Sequence, residues 1–294
     1  MTARDRMLTT SSRHVVAVIG PTASGKSDLA VQIAQGLGGE VVNGDAYQLY
    51  RGMDIGTAKP THAERLGVPH HLFDVLDVTQ AASVAEFQRQ ARAIMADCHA
   101  RGATPVLAGG SSLYVRAVLD PLDFPGTDPA VRERWQRELD VRGAPALHAV
   151  LAERDPAAAA EILASNGRRI VRALEVIELT GAPFTATMPP HVSLYPHLTM
   201  IGLAVERDAL DIRLTERVQQ MWQAGFVDEV RRLVGEGLER GDTACRAIGY
   251  QQVLSFLRGE ITEDQARRDT VTATRRFARR QDRLFRQDPR IHWV

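Results

Sequence analysis

The chain has 294 residues, 44% of them hydrophobic and 24% charged, with a formal net charge of zero and two cysteines. That length predicts about two domains of ordinary globular composition and excludes a disordered chain, a collagen-like fibre and a disulfide scaffold. The apolar runs are too short for a membrane span, Met1 to His14 is polar with no apolar signal core, and Cys98 and Cys245 lack metal spacing, so a reducing, cytoplasmic setting is expected.

In chain order, His14 to Ile19 reads as a buried strand ended by Gly20–Pro21. Leu29, Ile33, Ala34 and Leu37 repeat at helical spacing until Gly38–Gly39 stops them. Glu40 to Asn43 reads as a second strand, Val84 to Arg101 as a helix, and Pro105 to Ala108 as a third strand closed by Gly109–Gly110. Strands alternating with helices predict a parallel, helix-covered sheet.

Composition then changes. Asp120 to Gly126 is rich in breakers, Pro129 to Thr180 is helical in period, and Pro183 to Pro196 holds four prolines. Leu198 to Leu203 resumes a strand, and Asp208–Leu238 and Thr262–Phe285 read as long helices. The expected fold is α/β, a P-loop NTPase-like parallel sheet core covered by helices, with an all-helical insertion domain. Residues 1–119 and 201–294 are assigned to the core and 120–200 to the insertion.

Charge is uneven despite the neutral total. Residues 267–294 carry nine arginines against three aspartates. One concentrated basic element in a neutral chain suggests a polyanion partner, or else a solvated helix face. Lys26 and Lys59 are the only lysines, which draws attention to both.

Gly20–Pro21–Thr22–Ala23–Ser24–Gly25–Lys26–Ser27 fits the nucleotide- and ATP-binding phosphate-loop pattern between a strand and a helix. Its backbone N–H groups and helix N-terminus suit phosphate oxygens, Lys26 adds a full charge, and the Ser27 hydroxyl suits Mg²⁺. A kinase or ATPase with such a loop normally has an aspartate at the end of a partner strand. Here that strand ends in Gly109–Gly110–Ser111–Ser112, so the loop is suited to holding a diphosphate leaving group. Asp45, after the second strand, belongs at the same edge of the sheet, where it would hold a metal, take a proton or serve as a turn residue. Gln48 has the amide chemistry that pairs with adenine.

The phosphate loop, Asp45-x-x-Gln48-x-Tyr50, Gly52 to Pro60, Pro69–His70–His71–Leu72, Ser83 to Phe87, Gly109 to Tyr114, Arg169 to Glu175, Arg246 to Tyr250 and the arginine-rich C-terminal helix occur in that order. Together they resemble the bacterial tRNA dimethylallyltransferases, the tRNA isopentenyltransferase family, over about Val15 to Val294. The resemblance implies transfer of a dimethylallyl group from dimethylallyl diphosphate to N6 of the adenosine 3′ of the anticodon. It makes Asp45 the general base, and Lys26, the loop and Mg²⁺ on Ser27 the diphosphate holders. Ser111 would contact diphosphate or target nucleotide, and either Arg213 or Arg217 would add charge to the diphosphate. Contacts to the tRNA anticodon stem-loop are implied for Asp45, Ala46, Tyr47, Gln48, Ser111, Arg169, Arg172, Arg246, Gly249 and Tyr250. The stripe Arg276, Arg280 and Arg283 would meet phosphates. Three positions depart from the family's pattern: Ala46 replaces a serine, Ser111 a threonine and Cys245 a serine. A monomer is expected. The related adenylate isopentenyltransferases, a small-molecule kinase and an RNA-binding protein with a degenerate loop are the alternatives. Neither the insertion nor the basic tail suits a free-nucleotide enzyme. His70–His71 is expected to serve structure, and Trp135, Trp222 and Trp293 to pack.

Overall fold

The structure is a computed structural model that describes residues 14–185 and 188–294; the polar stretch 1–13 lies outside the described residues. Two compact units divide the chain, one of Met1–Pro121 with His191–Val294 and one of Leu122–Pro190.

The first unit is built on a six-stranded sheet. Its strands are β1 (His14–Ile19), β2 (Glu40–Asn43), β3 (His70–His71), β4 (Pro105–Gly109), β5 (His197–Gly202) and β6 (Ile291–Trp293), in the order β3-β2-β4-β1-β5-β6. Every neighbouring pair is parallel. Central β1 alternates between two buried faces. Val15, Ala17 and Ile19 pack with Phe87, Ala91 and Met95 of α2 (Val84–Ala100) and with Val115 and Val118 of α3 (Ser112–Leu119). Val16 and Val18 pack with Ala30 and Ala34 of α1 (Lys26–Leu37). A strand buried on both faces reads as a continuous apolar run, which is how β1 is legible. Each fully buried Val or Ile contributes about 1.5–3 kcal/mol.

Since all strands are parallel, the carboxyl ends of β1, β2 and β4 share one edge. Successive crossovers run from β1 toward β2 and from β4 across to β5, so the switch in direction falls beside β1. Gly44 N donates to the Ala108 carbonyl at 2.7 Å, and a Cβ on Gly109 would stand 2.6 Å from the Gly44 oxygen. The ends of β2 and β4 therefore approach more closely than a side chain would permit.

The long helix expected over Asp208–Leu238 is broken. Gly225, at φ 92°, separates α8 (Arg207–Gln223) from α9 (Phe226–Gly235), because an L-residue is strained there. Then follow α10 (Tyr250–Leu257) and α11 (Glu263–Phe285). Phe226, Val230 and Leu233 of α9 pack on Tyr250, Val253 and Leu254 of α10 and on Tyr50 and Met53. Strands β3 and β6 were not legible. They have two and three residues and lie at the sheet edges.

The second unit holds α4 (Pro129–Arg142), α5 (Ala144–Arg154), α6 (Pro156–Glu161) and α7 (Gly167–Thr180). They close over Trp135, Leu147, Leu151, Ile170 and Leu174. This unit ends at Pro190, ten residues before the expected boundary at 200. The physical reason is β5, whose residues His197 to Gly202 pair with His14 to Ile19 and so belong to the sheet. No helix among the described residues is long and apolar enough to cross a membrane.

Candidate active site at the carboxyl edge of the sheet

The phosphate loop turns from β1 into α1 with Ala23 held at φ 64° and Gly25 at φ 92°. A non-glycine residue in that region stores strain, and such strain concentrates at ligand sites. The turn leaves polar groups waiting. Ser24 Oγ is buried without a hydrogen-bond partner among the described residues, and Ser27 is exposed at the first turn of α1. Lys26 folds back on its own loop, with Nζ donating to the Pro21 carbonyl at 2.6 Å. Burial pushes its ammonium down from the ordinary lysine value to about 8, with Asp45 opposing that shift and Arg217 adding to it.

Arg217 reaches the loop from α8. Its Nη1 donates to Thr22 Oγ1 at 3.3 Å. Burial lowers its pKa, and Asp45 raises it again. Arg213, one turn earlier, is exposed, and among the described residues it has no bond to the loop. Of the two arginines left open by the sequence, Arg217 is the one at the loop.

Asp45 stands at the end of β2. Its N–H donates to Asn43 Oδ1 at 2.8 Å, and its Oδ1 accepts the Tyr47 N–H at 2.9 Å. The carboxylate is thus oriented by an Asx turn and sits in the field of Lys26 and Arg217. Two cations facing one carboxylate leave the edge net positive, as a diphosphate requires. Ser111 caps α3, but its hydroxyl makes no capping bond and is free to turn to a ligand.

The segment after Asp45 is held from outside. Gln48 Nε2 donates to the Thr57 and Ala58 carbonyls at 3.1 and 3.3 Å, which orients its amide. Buried Lys59 joins Asp54, Asp74 and the Tyr50 carbonyl at 2.6, 2.6 and 2.7 Å. Buried Glu229 accepts the N–H groups of Asp54, Ile55 and Gly56 at 3.0, 2.8 and 3.2 Å and the Tyr250 hydroxyl at 2.6 Å. Tyr47 is partly buried, and burial and then Asp45 raise its pKa. Ala46 packs against the main core.

Two of the residues expected to contact RNA, Tyr250 and Gly249, are buried. Tyr250 is fully buried, and its ring meets Phe226 edge-on at 5.0 Å. Gly249 is buried at φ 90°, and its N–H is taken by Gln252 Oε1 at 2.8 Å. Both build the start of α10. Arg172 is tied inside the helical unit to buried Glu175 at 2.9 Å and to the Pro125 and Gly126 carbonyls at 2.6 and 3.1 Å. Arg169 and Arg246 are exposed.

On α11 and its C-cap residue Arg286 the arginines differ in their partners, and Arg268 donates to Gln265 Oε1 at 2.8 Å. Arg275 and Arg279 turn to Asp211 of α8, Arg286 pairs with Asp282, and Arg267 with Asp264. Arg276, Arg280 and Arg283 are exposed and have no ion pair among the described residues. Spaced by four and three, they share one helix face. Arg276 also borders a groove of about 440 Å³ lined by Gln251, Ser255, Ile261, Asp269 and Thr272.

Each histidine of the pair has a hydrogen-bond partner, and His70 Nδ1 lies 2.8 Å from the Val68 carbonyl. His71 Nε2 and Glu40 Oε2 lie 2.6 Å apart, and Arg101 pairs with the same carboxylate at 2.5 Å. That arginine bond, with smaller help from His71, holds Glu40 down at about 2, while burial pushes the Cys98 thiol up to about 11. Trp135 and Trp293 pack beneath Arg154 and Arg286, and Trp222 meets Phe226 edge-on. Sequence reasoning missed Glu229 and Gln281. The one signal for Gln281 was its place on the buried stripe Ala278–Gln281–Phe285 of α11.

Comparison with known proteins follows the same lines. A sequence model of the family described as IPP transferase matches residues 48–288. A tRNA dimethylallyltransferase of Thermobifida fusca is 62% identical over 95% of this chain and 89% of that protein. Another from Streptomyces avermitilis is 63% identical over 96% of this chain and 90% of that protein. The crystal structure of a tRNA isopentenylpyrophosphate transferase from Bacillus halodurans aligns with TM-score 0.71 at 41% identity, over 96% of this chain and 90% of that one. A eukaryotic dimethylallyltransferase crystallised while acting on tRNA aligns with TM-score 0.82 at 25% identity, over 96% and 74%. Family model, relatives, sheet order and phosphate loop agree, and the chain belongs to the IPP transferase family.

Proposed function

We propose that the chain transfers the dimethylallyl group of dimethylallyl diphosphate to N6 of the adenosine 3′ of the anticodon in tRNA, in the cytoplasm and as a monomer. The observation that carries the proposal is the grouping of Lys26, Arg217 and Asp45 at one edge of the sheet, where β4 runs into Gly109–Gly110–Ser111 and supplies no acidic side chain. The names of the relatives support the substrate class.

In the transfer, the adenine nitrogen forms a bond to the allylic carbon, the carbon–oxygen bond breaks, and its electron pair leaves on the diphosphate. Lys26, Arg217 and the loop amides stabilise that charge where it develops. Ser111, just beyond the end of β4 and without a capping bond from its hydroxyl, would contact the diphosphate or the incoming nucleotide. Asp45 takes the proton released from N6, since the exocyclic amine is a poor nucleophile until it loses one. The target base must leave its stack to reach this edge, and with Nε2 of Gln48 held by the Thr57 and Ala58 carbonyls, the amide oxygen is the group that would accept from the adenine amine.

Mg²⁺ fits the residues present if it arrives with the substrate. Ser27 would offer the ion one hydroxyl, with the buried, unpartnered Ser24 Oγ beside it, and the remaining oxygens would have to come from the diphosphate and water. When bound, the ion neutralises diphosphate charge. Tracking phosphates falls to Arg276, Arg280 and Arg283, with Arg246, Arg169 and the helical unit as further contacts.

The deciding experiment offers labelled dimethylallyl diphosphate and Mg²⁺ to the protein with either an unmodified anticodon stem-loop or AMP. Label on the stem-loop is the expected result. Label on AMP alone would make this a free-nucleotide enzyme, and label on neither with ATP consumed would make it a kinase.

A further inference from the structure

Gln281 of α11 sits where two catalytic segments meet. It is 4% exposed. Its Oε1 accepts the Thr22 N–H of the phosphate loop at 2.9 Å, and its Nε2 donates to the Gly110 carbonyl at 2.8 Å. Thr22 is 259 residues away in sequence and Gly110 is 171 away, so no local pattern joins them. The amide orientation follows from the partners: a backbone N–H only donates and a carbonyl only accepts. Asparagine is shorter by a methylene, glutamate would face the Gly110 carbonyl with a second acceptor, and methionine has neither group to give. Gly110 completes the fit, because a Cβ there would collide with Nε2 of Gln281.

We infer that Gln281 is a positioning residue that sets the distance between the phosphate loop and Ser111. The inference rests on the prenyl-transfer reading above. One side of the bridge is the loop that carries Lys26 and receives Arg217 at Thr22. The other side is the residue before Ser111, the first residue beyond the end of β4. The bridge therefore fixes where the diphosphate lies relative to the groups that meet the incoming nucleotide. Loss of the bridge lets these segments drift, and misplacement of about an ångström costs on the order of a hundredfold in rate. Arg276, Arg280 and Arg283 are exposed while Gln281 is buried, so a change at Gln281 leaves the basic stripe intact.

The test is a double-mutant cycle with Gln281→Met and Gly110→Ala. Gln281→Met keeps the size of the side chain and removes both bonds. Gly110→Ala keeps the glutamine and pushes its amide away. Each single variant is expected to lower kcat by roughly tenfold to a hundredfold with KM for the stem-loop within about twofold of the parent. The double variant is expected to be no slower than the worse single, because both break one bridge. The same four proteins are titrated with Mg²⁺ and inorganic diphosphate, a measurement that needs no transfer, and are melted to check folding. A parental kcat in Gln281→Met, or losses that multiply in the double variant, would overturn the inference while leaving the prenyl-transfer reading in place. If the parent transfers no label at all, that reading falls, and the diphosphate titration decides alone. Non-additive weakening would then keep Gln281 as a loop-positioning residue, and unchanged or additive binding would remove it.

Discussion

Lys26 Nζ bonds the carbonyl of Pro21, five residues back in the same loop, at 2.6 Å. The ammonium thus stays inside a half-closed turn with its pKa brought down to about 8 by burial. Below that pH the free enzyme carries the charge that a diphosphate needs, and above it the charge is lost. Binding of inorganic diphosphate, and kcat/KM for dimethylallyl diphosphate, are expected to decline as pH rises through about 8. Lys26→Arg is expected to move that limb beyond the measurable range, since a guanidinium stays protonated. Stability has the opposite sign. The unfolded lysine binds its proton to higher pH than the folded one, so this group makes the fold more stable as pH rises from about 8 toward about 10.4.

Asp45 has two separable duties, holding the Tyr47 N–H and taking a proton. Asparagine keeps an oxygen for the first and loses the second. Asp45→Asn is expected to lower kcat by about a hundredfold to ten-thousandfold while stem-loop affinity holds. Asp45→Ala loses the turn as well and is expected to fall further. Single-turnover transfer and a filter-binding titration measure the two effects, and full turnover in Asp45→Asn would exclude this carboxylate as the base.

The arginines of α11 predict a salt dependence. Replacing Arg276, Arg280 and Arg283 by alanine is expected to reduce the slope of log K against log salt by about 2 units, at 0.7 to 0.9 per lost phosphate contact. Arg279, held by Asp211 at 3.0 Å, is the control. Arg279→Ala is expected to leave the slope unchanged, and equal effects from both sets would return the stripe to an ordinary solvated face.

Glu229 predicts a stability loss with a functional echo. It alone satisfies three backbone N–H groups and the Tyr250 hydroxyl. Glu229→Gln turns an amide donor toward donors, and the loss is expected to be on the order of 3 kcal/mol by denaturant unfolding. The loosened segment is the one whose Thr57 and Ala58 carbonyls orient Gln48, so stem-loop KM is expected to rise in the same variant.

Arg172 separates the sequence expectation from the structural one. Its guanidinium meets Glu175, which is fully buried, and two carbonyls. Arg172→Ala is expected to destabilise the helical unit by about 1–3 kcal/mol in thermal unfolding. The salt slope of RNA binding is expected to stay within error of the parent.

The phosphate loop, the alternation of strands and helices around it, Asp45 at the end of β2 and the basic character of α11 were all legible in the order of residues. These features are local. A buried strand announces itself by a run of Val, Ala and Ile, and an anion-binding turn by glycines whose backbone does the binding. Packing of the folded chain selected which of Arg213 and Arg217 reaches the loop, because that depends on how α8 sits against it, not on its period. It decided which arginines of α11 stay free, because Asp211, 64 and 68 residues earlier, takes two of them. It also turned Tyr250 inward onto Glu229 and brought Gln281 between Thr22 and Gly110. In each case the partner lies far along the chain, and a hydrogen bond between distant residues leaves no periodic trace in either segment.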